Sequence, residues 1–293
     1  MIYVLVPVRD EAATVGLLLW KVRQVFTAFE REYQLLVVDD ASTDGTDAVL
    51  GPYARALPLT LVTHRDRRGY ARSMEELLRL AVVRSDRPRR DVAVTIQADF
   101  SESPDELPDL IRRIESGADL VLGDPRRRPG MSFGERAARA LARAGARALA
   151  RVEGATAGVG TLRAYRVATL ARMLREPGPL LRTEGWAADL ELLARAAAAS
   201  RRTEVITLAS PVTARQRPSR ATPFRSAWDV LRSARGLRPG DGALPTGDGE
   251  EDVAPPQPAP RRGRGRRGGR GRGRGGAPRA AAPPASPASP GPP

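Results

Sequence analysis

The 293-residue sequence has no cysteine, one histidine and one lysine, and only 4% of it is aromatic. Without thiols there are no disulfides, no thiolate metal ligands and no cysteine nucleophile, which suits a reducing compartment. His64 alone cannot build a multi-histidine zinc site, and a Ser-His-Asp triad has no other imidazole to draw on. Carboxylates and arginines are left to carry any chemistry. No run of about 18 uncharged apolar residues occurs, so no transmembrane helix is expected. The first residues, MIYVLVPVRDE, lack a basic leader and an extended apolar region and read directly as a strand, so a cytoplasmic protein is expected.

Positive charge is what the chain has in excess: 48 Lys and Arg against 34 Asp and Glu, a formal net charge of +14. Nearly all of it is Arg, amid abundant Ala, Gly and Pro. A GC-rich genome gives the same bias, so the count alone is weak evidence of phosphate binding. Residues 236–293 hold ten Arg against five acidic residues, which leaves the preceding part basic in its own right. That balance favours polyanionic or membrane-surface partners.

Up to about residue 123 the pattern alternates strand and helix with short connections. Strands are predicted at Ile2 to Pro7, Leu35 to Asp39, Leu59 to Thr63, Val92 to Ile96 and Leu120 to Leu122, each short and rich in Val, Leu or Ile. Val15, Leu18, Leu19, Val22, Val25, Phe26 and Phe29 recur at helical spacing behind Thr14, a candidate cap. Ala71, Met74, Leu77, Leu78 and Ala81 share a second helix face. A third helix opens at Pro104, runs through Leu107, Leu110, Ile111 and Ile114, and stops at Gly117. Repeated strand-helix-strand units predict an α/β fold, a mostly parallel sheet covered on both faces. Beyond Arg126 the regularity weakens. A helix is expected over Phe133 to Val152, an edge strand over Thr161 to Tyr165, a helix over Ala188 to Ala199 and a strand over Val205 to Leu208. From Gly236 onward Pro, Gly, Ala and Arg dominate, and RRGRGRRGGRGRGRGG cannot bury a core, so a disordered tail is expected.

The stretch VVDDASTDGT, residues 37 to 46, carries the most chemistry. A buried strand run ends in Asp39 and Asp40, then turns through Ser42, Asp44 and Gly45 into a helix. Open α/β sheets bind ligands at the carboxyl ends of their strands, so the two carboxylates point to a nucleotide site. Turn and cap chemistry accounts for Asp40, Ser42 and Asp44 almost as well.

Six segments in order complete a pattern: VPVRDEAATV at 6–15, VVDDASTDGT at 37–46, RDRRGYARSM at 65–74, TIQADFSESPDELPDLI at 95–111, GTLRAYR at 160–166 and EGWAADLELLARA at 184–196. Through them, residues 2 to about 220 resemble a family-two glycosyltransferase of the GT-A type, nearest the polyprenyl-phosphate (dolichol-phosphate mannose synthase-like) branch. The resemblance implies a GT-A domain over 1–235, with a nucleotide-binding half to residue 123 and an acceptor half from 124. It implies a hexosyltransferase that moves a sugar with inversion from a nucleotide-diphosphate donor to a polyprenyl phosphate, assisted by Mg²⁺ or Mn²⁺. Asp39 would then accept from the base, with Asp40 alongside toward the ribose or the metal. Pro7, Arg9 and Glu11 would line the pocket, although Glu11 also suits the start of the next helix through its dipole. Gly69 would let the backbone approach the nucleotide, although the usual Asn of that loop is missing.

The family usually has Asp-x-Asp where this chain has Gln97-Ala98-Asp99. Asp99 remains the expected metal ligand and catalytic carboxylate, assisted by Ser101 or Glu102, while Gln97 and Ala98 would lie along the nucleotide. In the bland account Asp99 and Glu102 only begin a loop and cap the Pro104 helix. Asp189 and Glu191 occupy about the position of a general base. A phosphate-monoester acceptor is already ionised near neutral pH, however, and needs positioning more than deprotonation. Glu191 would then be structural or metal-orienting, while Arg126, Arg163, Arg215 and Arg220 are candidates to clamp phosphates with planar forks. His64 receives no role. The arginine face of 133–152 suits peripheral, salt-sensitive contact with an anionic lipid surface, against a plain solvated helix. The Arg-Gly tail suits non-specific contact with RNA or other polyanions, without aromatics to stack bases. A saccharide acceptor, with Asp189 or Glu191 as base, and a catalytically weakened nucleotide-binding module are the alternatives.

Overall fold

The computed structural model describes residues 1–125, 161–175 and 177–208. The expectations for the 133–152 helix, for Arg126, Arg215 and Arg220, and for the tail lie outside these residues. Seven strands form one sheet: β1 (Ile2–Val8), β2 (Tyr33–Asp39), β3 (Leu59–Thr63), β4 (Val92–Thr95), β5 (Leu120–Pro125), β6 (Arg163–Arg166) and β7 (Thr203–Leu208). Their spatial order is β3-β2-β1-β4-β6-β5-β7. The pairs β1–β2, β2–β3, β1–β4 and β5–β7 are parallel, whereas β6 runs antiparallel to both neighbours.

All seven residues of β1 are buried, because helices cover both faces. These helices are α1 (Val15–Phe29), α2 (Thr46–Ala56), α3 (Tyr70–Arg84), α4 (Leu107–Glu115), α5 (Val167–Met173) and α6 (Trp186–Ala199). Strand alternation sends Val4, Val6, Leu35 and Val37 into one core with Leu18, Leu19 and Val22 of α1 and Leu110 and Ile111 of α4. The opposite faces, Tyr3, Leu5, Leu36 and Val38, pack with Met74 and Leu77 of α3, Leu170 of α5 and Leu193 of α6. The strand order reverses between β2, β1 and β4, so the crevice at their carboxyl ends is the topological switch point.

Three details differ from expectation. The strand expected at an edge, β6, lies inside the sheet between β4 and β5, with Leu162, Ala164 and Tyr165 fully buried. Its short alternating sequence could not show that both its edges are paired. Thr14 does not cap α1 with its side chain; its hydroxyl donates instead to the Glu11 carboxylate at 2.8 Å. A 3₁₀ turn, Pro104–Glu106, precedes α4, and the hydroxyl of Ser103 caps it. Gly117, at φ 111°, ends α4 as expected, its N–H donating to the Ile114 carbonyl.

Candidate functional site

The loops after β1 and β2 are stitched together at the switch point. Arg9 Nη1 donates to the Asp40 carbonyl at 2.9 Å, Asp10 N–H to Ser42 Oγ at 2.9 Å, Glu11 N–H to Thr46 Oγ1 at 2.9 Å and Ala12 N–H to Asp44 Oδ2 at 3.0 Å. In return Thr43 N–H donates to Asp10 Oδ1 at 2.8 Å. Ala41 sits at φ 54°, a left-handed conformation that costs a non-glycine residue about 1–2 kcal/mol. The strained turn fixes the Asp39 side chain, which is 1% exposed. Asp39 Oδ1 accepts the Ser42 N–H at 3.2 Å and the Ser42 hydroxyl. No described residue donates to Oδ2, so that oxygen of the buried carboxylate can still accept. Pro7 and Glu11 lie in this same cluster of strand end and loop.

Asp40 is committed to the protein itself. Oδ1 takes the Arg68 N–H at 2.7 Å and His64 Nδ1 at 2.9 Å, and Oδ2 takes the Gly69 N–H at 2.9 Å. Burial raises its pKa, but the hydrogen bonds from His64, Arg68 and Gly69 win and hold it below the ordinary carboxylate value. The expected role toward ribose or metal therefore gives way to a clasp on the 64–69 loop. The other His64 nitrogen lies 2.9 Å from Glu76 Oε2. Burial of this imidazole favours the neutral form, but its two carboxylate partners raise its pKa, against the nearby Arg68 charge. Asp40 and Glu76 stand 24 and 12 positions away in the chain, so the sequence offered no sign of this bridge.

Stability should therefore depend on pH at both ends of the bridge. The His64 contribution is full below its ordinary 6.5 and is lost as pH rises through its raised folded value. The Asp40 contribution is full above 3.8 and is lost as pH falls through its lowered folded value. Wild type is expected to exceed His64→Gln in melting temperature by more at pH 6 than at pH 8.5. A gap that stays constant across that range would remove the protonated bridge.

At the end of β4, Ile96 and Ala98 turn into the core, and Asp99 Oδ1 accepts the Ser101 N–H at 2.9 Å. Phe100, at φ 55°, completes this turn. Glu102 is 7% exposed and ties the loop to the start of β6. It accepts Thr161 N–H at 2.8 Å, Thr161 Oγ1 at 2.8 Å and Leu162 N–H at 2.9 Å. Burial, with a smaller push from Asp99, lifts its carboxyl to about 7 against those bonds. It is an internal tie rather than an assistant to a metal.

The strongest signals the sequence reading missed are Tyr70 and Glu184. The Tyr70 hydroxyl donates to Asp189 Oδ1 at 2.7 Å and accepts from Gln97 Nε2 at 3.1 Å. Arg163, 2% exposed, donates from Nη1 to the Asp189 carbonyl at 2.9 Å. Asp189 and Gln97 are thus brought together across two elements far apart in sequence. Arg163 is a buried strut under α6 rather than a surface clamp for phosphate. Glu184 Oε2 accepts the Ala71 N–H at 3.2 Å, at the amino end of α3. A Cβ added at Gly69, which has φ 92°, would stand 2.6 Å from Glu184 Oε1. Gly69 is demanded by its backbone angle, whereas the exposed Glu184 carboxylate could swing aside.

Glu191 is 1% exposed. Its Oε2 accepts Arg182 N–H at 2.8 Å, Thr183 N–H at 3.2 Å and Thr183 Oγ1 at 3.1 Å, while Oε1 takes Arg195 Nη2 at 3.1 Å. A carboxylate so occupied is a clamp on the 182–183 loop, not a general base, which corrects its candidate catalytic role.

A doubly wound sheet with a buried carboxylate at its switch point is the architecture of an α/β protein that takes its ligand at the carboxyl ends of the strands. The chain belongs to glycosyl transferase family 2, whose pattern matches residues 3–174. It is 26% identical over 118 residues to the undecaprenyl-phosphate 4-deoxy-4-formamido-L-arabinose transferase of Photorhabdus laumondii subsp. laumondii, a match covering 40% of this chain and 35% of that protein. The chain thus spans about a third of the length of the curated relatives it matches. Among solved structures, mannosyl-3-phosphoglycerate synthase from Rubrobacter xylanophilus superposes with a TM-score of 0.56 at 19% identity, covering 84% of this chain and 76% of that one. Glucosyl-3-phosphoglycerate synthase from Mycobacterium tuberculosis, solved with Mn²⁺, UDP and glucosyl-3-phosphoglycerate, gives 0.55 at 19% identity, covering 82% and 81%. These likenesses establish the GT-A fold. Among the described residues no helix is long and apolar enough to cross a membrane.

Proposed function

We propose that this protein transfers a sugar, with inversion, from a nucleotide-diphosphate donor to a polyprenyl phosphate or a similar phosphate-bearing lipid. The observation that carries the reading is the Asp39 carboxylate, buried at the end of β2 with one oxygen left for a ligand, while Asp99 follows β4 on the other side of β1. Asp39 accepts from the base, and Arg9, Glu11 and Gly69 shape the loops around the nucleotide. The names of the matching curated relatives support the lipid-phosphate acceptor.

The donor set suits Mg²⁺ or Mn²⁺. Asp99 is a hard oxygen donor, and among the described residues no group of three or more His, Asp or Glu side chains forms a ready-made cage. A single such donor would hold a cation together with the phosphates of its substrate. When bound, such an ion neutralises charge on the departing nucleoside diphosphate. Asp99, with the Ser101 amide fixing its rotation, would hold it. Because Asp189 and Glu191 both hold parts of the protein itself, the chemistry relies on an acceptor that arrives ionised. A basic 133–152 segment and tail would bring the enzyme to an anionic membrane face. The test incubates purified protein with Mg²⁺ or Mn²⁺, a panel of nucleotide sugars and undecaprenyl phosphate. Consumption of one donor that depends on the lipid phosphate is expected; consumption indifferent to it would remove the acceptor assignment.

A further inference from the structure

Gln97 stands where the family's first metal-site aspartate is usual, and its amide has two faces of nearly equal shape. Which face meets a ligand decides whether position 97 offers an acceptor oxygen or a donor NH₂. The hydrogen-bond chain behind it settles the choice. Burial leaves the Asp189 pKa above its ordinary value, although the Arg163 charge and the Tyr70 hydrogen bond restrain the rise; the geometry has Asp189 Oδ1 as the acceptor, and a carboxylate can only accept. Tyr70 must therefore give its proton to Asp189, across 2.7 Å. Burial and the Asp189 charge keep that phenol protonated well beyond its ordinary range. With its proton committed, the Tyr70 oxygen can only accept, and Gln97 must present Nε2 to it, across 3.1 Å. No described residue donates to Gln97 Oε1, and the side chain is half-buried rather than sealed.

We propose that Asp189 and Tyr70 are positioning residues that turn the carbonyl oxygen of Gln97 toward the bound donor. There it accepts a donor hydroxyl or serves as a neutral ligand to the donor's cation. The inference rests on the donor-site reading above. It gives Gln97 a function: an oxygen is kept at position 97 while the negative charge is given up. It also gives Asp189 a task other than general base.

The test is a double-mutant cycle of Tyr70→Phe and Gln97→Asp in the full chain. Binding of UDP, GDP, CDP and dTDP is measured by calorimetry with and without Mn²⁺, alongside melting temperatures. Tyr70→Phe is expected to weaken binding of the preferred nucleotide about five- to tenfold with Gln97 present. In the Gln97→Asp background, where a carboxylate offers oxygen in either rotation, the loss should shrink to less than about twofold. A loss seen only with Mn²⁺ identifies the cation as the partner of Oε1; a loss equal in both conditions identifies a hydroxyl. Asp189→Asn, which can donate as well as accept, should give a smaller loss that Gln97→Asp also suppresses. Equal losses in both backgrounds at matched melting temperatures would overturn the proposal and leave Tyr70 merely structural. If wild type binds none of the nucleotides, the donor-site reading fails and this inference with it.

Discussion

Asp99→Asn is expected to lower sugar transfer by on the order of a thousandfold, the scale of losing one preorganised electrostatic contact to a leaving group. The substitution is nearly isosteric, and the Asn side-chain oxygen can still accept the Ser101 N–H that Asp99 Oδ1 accepts at 2.9 Å. The turn at Phe100 should therefore survive, and the melting temperature should stay within a few degrees of wild type. What disappears is charge. A neutral amide at position 99, added to the neutral amide already at 97, leaves this loop without either carboxylate of the family pattern. Raising the Mn²⁺ concentration should recover part of the activity, since a weakened cation site is filled by mass action. Donor turnover by Asp99→Asn within about threefold of wild type, at ordinary Mn²⁺, would place the catalytic contact elsewhere.

The parts of this molecule that could be read from the sequence share one property: their causes are local. Hydrophobic period and the punctuation by Pro104 and Gly117 mark α1, α3 and α4, and runs of Val and Leu mark β1 to β5. The placement of Asp39 at the end of β2, and of Asp99 in the loop after β4, was legible for the same reason, since the apolar run before each marks where the strand stops. Position inside the sheet is not local. The segment that becomes β6 is four residues of ordinary strand, and its insertion between β4 and β5 depends on partners some 70 and 40 residues away. The polar struts behave alike. Asp40 joins His64, Tyr70 joins Asp189 and Gly69 meets Glu184, each across different elements, and no motif spacing encodes such pairs. Arg163 was legible as an arginine in a matching segment, but its 2% exposure and its bond to the Asp189 carbonyl, 26 residues on, come only from the fold.

Glu191 tests that distinction between charge used for chemistry and charge used for structure. Its carboxylate is 1% exposed and receives two backbone amides and a hydroxyl from residues 182–183, with Arg195 on the other oxygen. Glu191→Ala would strand those amides in a partly dry site and leave Arg195 without its carboxylate, a loss of about 3 kcal/mol. For a domain of this size that corresponds to a fall in melting temperature of roughly 6–12 °C. Glu191→Gln keeps one acceptor but turns an NH₂ toward either Arg195 or the two amides, so it too should lower the melting temperature, by less. The decisive comparison is kinetic. A general base replaced by Gln loses turnover without losing stability, and cooling does not help it. A clamp loses both together, and turnover should return toward wild type when the assay runs well below the variant's melting temperature. Because residues 182–183 precede Glu184, whose carboxylate meets Gly69 and the Ala71 amide, loosening the clamp should first appear as weaker donor binding. Glu191→Gln with wild-type stability and abolished turnover at every temperature would return Glu191 to the chemistry.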